Sequence, residues 1–334
     1  MSRRRMIVVT GGAGFIGSNI VARLCAEGRR DIVVCDRLEG AELGKWKNLA
    51  KHPIADFWSP EELFAQLERH ADRVEAIVHM GAISSTTEAD ADLILRTNFS
   101  LSRDLWDWCA GRQARFVYAS SAATYGDGGL GFEDADDLRS LSALRPLNAY
   151  GYSKYLFDQY AARHAGAGNA PAQWAGLKFF NVYGPNEHHK GSMKSVVAQI
   201  WPKVAAGEPV TLFRSHNPAY EDGGQMRDFV FVDDVVDIVE WLLEAPEVSG
   251  VFNAGSGQAR SFLDLAHATF AAAGREPRIA YVDTPESIRD KYQYFTEARM
   301  DRIRAAGFSG QSTPLEEGVR RYVQGFLDTA DPYR

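Results

Sequence analysis

The first hydrophobic positions form a short β-branched run at 7–10, IVVT. It stops at GGAGFIG. The following SNIVARLCAEG places Ile16, Ile20, Val21 and Leu24 on one helical face, with Gly28 as a stop signal. A second buried-strand pattern, DIVVCD, follows at 31–36. Further strands are expected at 76–82 (AIVHMGA), 115–121 (RFVYASS) and 176–184 (GLKFFNVYG), with helices at about 60–72, 91–111 and 148–165. Such alternation predicts an α/β fold with a doubly wound parallel sheet. After 185 the loops lengthen, and 214–227 is polar and turn-rich. A strand and helix are expected over 227–245, a short strand over 251–257, and helices over 261–274 and 315–328. This divides the chain into a nucleotide-binding domain at 1–175, with a returning segment near 227–257, and a smaller α/β substrate lobe mainly at 176–334.

Composition narrows the function classes. The 334 residues are 45% hydrophobic and 24% charged, ordinary for a globular protein. The net charge of -7 gives no electrostatic reason to expect nucleic acid or an anionic membrane as partner. No apolar stretch approaches a bilayer span, and no signal-peptide core is read at the start. Cys25, Cys35 and Cys109 are scattered without metal spacing, which suits reduced thiols in a cytoplasm.

Gly11, Gly14 and Gly17 are spaced G-x-x-G-x-x-G between a strand and a helix. Glycines there allow a tight turn and close approach to a pyrophosphate, which then meets the unpaired N–H groups of the helix N-terminus. Asp36 ends the second strand, where an acid binds adenosine ribose hydroxyls and ordinarily favours NAD. Arg37, Lys45 and Lys47 follow and can neutralise a 2′-phosphate, so NADP is expected, with NAD the other candidate. The bland alternative is a solvated basic loop.

Tyr150 and Lys154 are one helical turn apart and share a face. A free tyrosine is a poor base at neutral pH; a nearby ammonium and an oxidised nicotinamide favour its phenolate. Ser121 ends the 115–121 strand, at the sheet edge where ligands bind, and can orient a reacting oxygen. Lys190 sits in YGPNEHHKGSM at 183–193 as a second amine able to carry a proton. Its bland reading is a surface cation or a diphosphate clamp. His188 and His189 lack the further ligands that a metal needs, so no metal is expected.

Taken together, GGAGFIG, SSAATYG and YGYSK resemble the extended short-chain dehydrogenase/reductase superfamily of sugar-nucleotide enzymes. More narrowly, AISSTTE, PLNAYGYSK, FFNVYGPNEHHKGSM and RDFVFVDDV resemble the ADP-L-glycero-D-manno-heptose 6-epimerase family, from about residue 6 to about 328. The resemblance implies NADP-dependent inversion at C6 of an ADP-heptose for lipopolysaccharide, by an isomerase that forms a homo-oligomer, a pentamer in the family. Tyr150 and Lys190 would share the proton transfers, with Lys154 and Ser121 supporting. It also implies cofactor contacts from Phe15, Ile16, Met80, Gly81, Ala82, Ile83, Ser84, Asn98 and Val182, besides the glycines, Asp36, Arg37, Lys45, Lys154 and Lys190. Substrate contacts fall on Asn181, Ser192, Gln199, Phe213, Arg214, Ser215, His216, Arg227 and Tyr292. Arg227 is also a planar donor fork suited to phosphate, or else the partner of Asp228 or Asp233.

Two departures stand out. The loop between Phe213 and Arg227 is longer than in some family members, and Gln199 stands where the family can have histidine. A sugar-nucleotide 4-epimerase or dehydratase is the nearest competing reading. Dehydratases carry Asp-Glu where this chain has Ala122, Ala123 and Thr124, and a 4-epimerase leaves Lys190 unexplained. A non-catalytic NADP-binding regulator is the third, since fold alone does not assign function.

Overall fold

The computed structural model describes residues 5–38, 44–85, 88–289 and 293–334. Its strands, in chain order, are β1 (Met6–Thr10), β2 (Ile32–Cys35), β3 (Asp56–Trp58), β4 (Val74–His79), β5 (Arg115–Ser121), β6 (Gln173–Phe179), β7 (Asn181–Tyr183), β8 (Val210–Phe213), β9 (Met226–Phe231), β10 (Gly250–Ala254), β11 (Ala259–Ser261) and β12 (Ile279–Val282). Seven form one parallel sheet in the order β10-β6-β5-β4-β1-β2-β3. The order reverses beside β1, which places a ligand crevice outside the carboxyl ends of β1 and β4. The expected Rossmann-type doubly wound sheet is therefore present.

Every residue of β1, β2 and β6 is buried, as expected for strands covered on both faces. On one face the Phe15–Ala26 helix, through Ile20, Val21 and Leu24, meets Val235, Val236 and Val239 of the Val232–Glu244 helix. On the other, Leu105, Trp106, Phe116 and Phe157 pack together between the sheet and the helices Leu101–Arg112 and Ala149–Gly166. Each such aliphatic or Phe side chain, fully buried, contributes roughly 1.5–3 kcal/mol relative to exposure.

The expected strand over 176–184 is two strands. The run starts earlier, at Gln173, and breaks at Phe180, whose N–H goes to Ala254 O at 3.2 Å. Beyond the break, β7 leaves the main sheet and pairs in parallel with β9, which also pairs antiparallel with β11. Within 227–257, β9 thus lies in this three-stranded sheet, whereas β10 returns to the main sheet. The strands β8 and β12 form a further pair. A third apolar cluster, including Tyr183, Val204, Leu212, Phe229, Phe270 and Tyr322, fills this second region.

The helix expected over 91–111 contains a widened π turn at Leu95–Ser100 before continuing as Leu101–Arg112. Asn98 sits in that turn. Among the described residues, no helix is long and apolar enough to cross a membrane. All three cysteines are buried and unpaired.

Candidate active site

The glycine turn is built for close approach. Gly11 has φ +66°, and a Cβ added there would lie 2.5 Å from Gly81 N. A Cβ at Gly17 would lie 2.2 Å from Gly11 O, so only glycine lets the Phe15–Ala26 helix start against the turn. Asp36 closes the other side. Its Oδ2 accepts from Ala13 N at 2.9 Å, and its Oδ1 accepts from Arg37 N at 2.7 Å and from Lys45 Nζ at 2.5 Å.

Above this turn lies a cavity of about 420 Å³, within the range of small-molecule pockets. It brings together most of the expected cofactor set: Gly11, Gly14, Phe15, Ile16, Gly17, Asp36, Lys45, Met80, Gly81, Ala82, Ile83, Ser84, Lys154 and Lys190. Tyr150 lines it too. Arg37, Asn98 and Val182 do not. The Arg37 guanidinium pairs with Glu61 on the surface. Asn98 works from behind the wall: its side chain accepts from Ile83 N at 2.8 Å and donates to Ile83 O at 3.0 Å and Ser153 Oγ at 3.1 Å. It thereby ties the Ile83 loop to the helix of Tyr150. Val182 packs between two apolar clusters.

Tyr150 begins the Ala149–Gly166 helix, whose first turn is capped by Asn148 Oδ1 accepting from Gly151 N at 2.8 Å. A Cβ at Gly151 would lie 2.7 Å from Ala123 O, so this glycine lets the helix start close against the turn after Ser121. The Ser121 side chain acts on the buried Tyr150 hydroxyl. Burial pushes its pKa up, and the influence of Ser121 offsets part of that. Lys154, itself buried, is pushed down to about 8, against a raising influence from Asp158. Asp158 anchors the same helix below the site. It accepts from Tyr118 at 3.1 Å, Ser120 at 2.8 Å and Lys178 Nζ at 2.7 Å, and Lys178 also donates to Thr124 at 2.7 Å.

Lys190 comes from the short helical turn His188–Met193, which bends at Gly191 with φ 55°. Glu187 holds the base of the turn. Its carbonyl accepts from Lys190 N at 3.0 Å, and its buried carboxylate accepts from Ser195 N and Oγ, both at 2.5 Å. The Lys190 ammonium lies 5.0 Å from the Phe15 ring centroid, a cation–π distance. Burial lowers its pKa, and Glu187 partly offsets this.

Among the described residues, the expected substrate residues do not line this cavity. Asn181 and Ser192 are exposed, and the exposed Gln199 donates to Ser192 O at 3.2 Å and Lys194 O at 2.6 Å. The 213–216 stretch is tied to the segment just before Arg227. Gln225 Nε2 reaches the carbonyls of Phe213 and Arg214, both at 3.3 Å, and Tyr294 accepts from His216 N and, through its backbone, from Met226 N. Arg214 lies near Asp222 and Asp283, and Ser215 N donates to Asp222 at 2.9 Å. Arg227 donates to Met226 O at 2.8 Å and lies over Phe262. Asp228 instead accepts from Ser256, Gly257 and Ala298, while Asp233 pairs with Arg334. Tyr292 lies outside the described residues.

Sequence reasoning missed Ser85, Ala119, Phe179, His189 and Met193 in the cavity wall. His189 and Met193 flank Lys190 in the quoted run, so their place beside it was a readable signal. His189 is pushed down to about 4 by burial and by Lys45 and Lys190. Among the described residues, no group of three His, Cys, Asp or Glu could hold a metal ion.

Comparison with known proteins agrees with this geometry. Residues 7–255 match the model of the NAD dependent epimerase/dehydratase family. The chain is 50% identical over 331 residues to an ADP-L-glycero-D-manno-heptose-6-epimerase of Nitratidesulfovibrio vulgaris, covering 98% of this chain and 100% of the relative. It is 44% identical over 336 residues to the enzyme of that name from Fusobacterium nucleatum, covering 98% and 100%. The crystal structure of Helicobacter pylori ADP-L-glycero-D-manno-heptose-6-epimerase superposes with TM-score 0.78 at 28% identity, covering 96% of each chain. The fold, the glycine-turn cavity and these relatives agree that the chain belongs to the NAD dependent epimerase/dehydratase family, among its ADP-L-glycero-D-manno-heptose-6-epimerases.

Proposed function

We propose that the protein inverts C6 of ADP-D-glycero-D-manno-heptose, giving the L-glycero epimer for lipopolysaccharide. One observation carries the mechanism: Tyr150 and Lys190, from separate elements, line a single cavity. The glycine cradle, which any Cβ would fill, and the acid at the end of β2 fit a nicotinamide dinucleotide. Gly11, Gly14, Gly17, Asp36 and Lys45 would hold it, with the Met80–Ser84 backbone opposite. When bound, the dinucleotide would supply the hydride acceptor and donor for C6.

The chain's own groups move the protons. C6 carries one hydroxyl, so its oxidation gives a ketone. Inversion requires the opposite face of that ketone to be reduced, which turns the oxygen to a new direction. One fixed acid/base cannot serve both directions. Tyr150, whose pKa Ser121 holds down against burial, serves one; Lys190 serves the other. Lys154 supplies the positive charge that favours the Tyr150 phenolate. The lowered pKa of Lys190 makes it a better proton carrier near neutrality than an ordinary lysine.

We further read NADP as preferred to NAD, because Lys45 neutralises Asp36 where a 2′-phosphate would meet it. The residues of the seven-stranded sheet are assigned to the cofactor, and the region around Phe213 and Arg227 to the ADP-sugar. Unpaired buried thiols fit a cytoplasmic setting, and a homo-oligomer, a pentamer by family resemblance, is read alongside it. Incubation with ADP-D-glycero-D-manno-heptose, followed by NMR of the C6 configuration, tests the assignment. Conversion to the L-glycero epimer is expected. An unchanged ADP-heptose beside interconverting UDP-sugars would make it a 4-epimerase instead.

A further inference from the structure

Asn186 is a buried junction with φ 72°, a backbone conformation uncommon outside glycine. Its Nδ2 donates to Ser18 Oγ at 3.0 Å, on the helix that follows the glycine turn. Its carbonyl accepts from Asn48 Nδ2 at 3.2 Å, and that same amide reaches Ala13 O at 2.9 Å. Three walls of the cofactor cavity therefore meet at one residue: the glycine turn, the Lys45–Asn48 turn and the Lys190 loop. The remaining side-chain atom, Oδ1, accepts from Arg334 N at 2.9 Å.

That last bond belongs to a larger dock. The stretch 331–334 lies across two of these walls. On the Lys45 side, Lys51 Nζ reaches Tyr333 O at 2.6 Å and Asp331 Oδ2 at 2.7 Å, His52 Nε2 lies 3.2 Å from Arg334 O, and Lys47 sits over the Tyr333 ring. On the Lys190 side, His188 Nε2 lies 3.2 Å from Pro332 O and its ring meets Tyr333 edge-on. The Arg334 guanidinium pairs with Asp233 at the start of the Val232–Glu244 helix. Single exposed pairs such as Lys51–Asp331 are weak. Here, however, several weak contacts bridge two segments that have no strand pairing to each other.

We propose that residues 331–334 are a strap that holds the Lys45 and Lys190 walls together and so sets how long the nicotinamide dinucleotide stays bound. An epimerase must keep its cofactor between oxidation and reduction, since the hydride it takes is the one it returns. The strap supplies that retention without touching the cavity itself. The inference rests on the proposed function for its purpose, but its test reads the cofactor alone.

Two variants of the full protein test it: the chain stopped after Ala330, and the milder double substitution Tyr333→Ala, Arg334→Ala. Each is loaded with NADPH, and separately with NADH, and release is followed by loss of cofactor fluorescence after mixing with excess unlabelled NADP. Release about tenfold faster than from the unaltered protein is expected for the shortened chain, which loses the whole hydrogen-bonded dock, and at least about threefold faster for the double variant, which loses the Arg334–Asp233 pair and the Tyr333 ring contacts. The melting temperature of the cofactor-free protein is expected to hold in the double variant, and Arg320→Ala, an exposed residue paired with Glu317 and not in the cavity lining, is expected to release at the original rate. A double variant that keeps its melting temperature and releases less than about threefold faster overturns the strap. If the shortened chain does not fold, the double variant decides alone. Failure to epimerise ADP-heptose would sink the substrate assignment and leave this result standing.

Discussion

Lys45 Nζ stands 2.5 Å from Asp36 Oδ1, and the same carboxylate binds the glycine turn through Ala13 N. An acid at this position alone would repel a 2′-phosphate. Paired with an ammonium, it presents a neutral edge with spare N–H donors. The nearby Arg37, by contrast, is committed to Glu61 on the surface.

Lys45→Met is therefore expected to weaken NADPH binding by about tenfold and NADH binding by much less, since it uncovers the Asp36 charge. Arg37→Ala is expected to change the ratio less. Titrating both cofactors against both variants by fluorescence checks this. Equal weakening of the two cofactors by Lys45→Met would contradict it.

The alkaline side of the pH profile follows from Lys154. Burial holds it at about 8, so it is charged below that pH and neutral above it. Support for the Tyr150 phenolate is then lost, and kcat is expected to fall as pH rises through about 8. Unfolding is not the cause. Because the folded value lies below the ordinary lysine value of 10.5, the unfolded chain binds the extra proton between about 8 and 10.5, and this group's contribution to stability rises with pH there. Circular dichroism across the same range separates the two. A flat kcat up to pH 10, with the fold intact, would remove Lys154 from this role.

Lys178→Met leaves Asp158 charged and buried with only Tyr118 and Ser120 as donors. Breaking such a pair is expected to cost about 3–5 kcal/mol, read as a lower urea midpoint. Replacing both partners, Lys178→Met with Asp158→Leu, is expected to recover much of the loss. A double variant no better than the single one would show that the pair is not the source.

How much of this was legible in the sequence depends on how local each feature is. The strand, glycine turn and helix from β1 to Asp36 were readable because the apolar run, the glycine spacing and the acid lie within one unit. Tyr150 and Lys154 were readable for the same reason. The break at Phe180 was not, because FFNVY has no glycine or proline to mark it, and its switch of sheets is decided by Ala254 and by β9, far along the chain. The Lys178–Asp158 pair was hidden likewise: a lysine inside an apolar strand gives no sign of a carboxylate on a neighbouring helix. Composition marked Arg37 and Lys45 equally, and only the packing of Glu61 and Asp36 separates them. The run at 183–193 pointed to Lys190, and the same run already held His189 and Met193, the further wall residues.

The two-sided proton transfer is tested most directly by Lys190→Met. The fully folded variant, loaded with cofactor, is mixed with ADP-D-glycero-D-manno-heptose and the C6 configuration is followed by NMR. Turnover is expected to drop at least about a hundredfold, the usual size of a lost acid/base, while NADPH affinity stays within about a few-fold. Epimerisation at the unaltered rate by this variant would contradict the account.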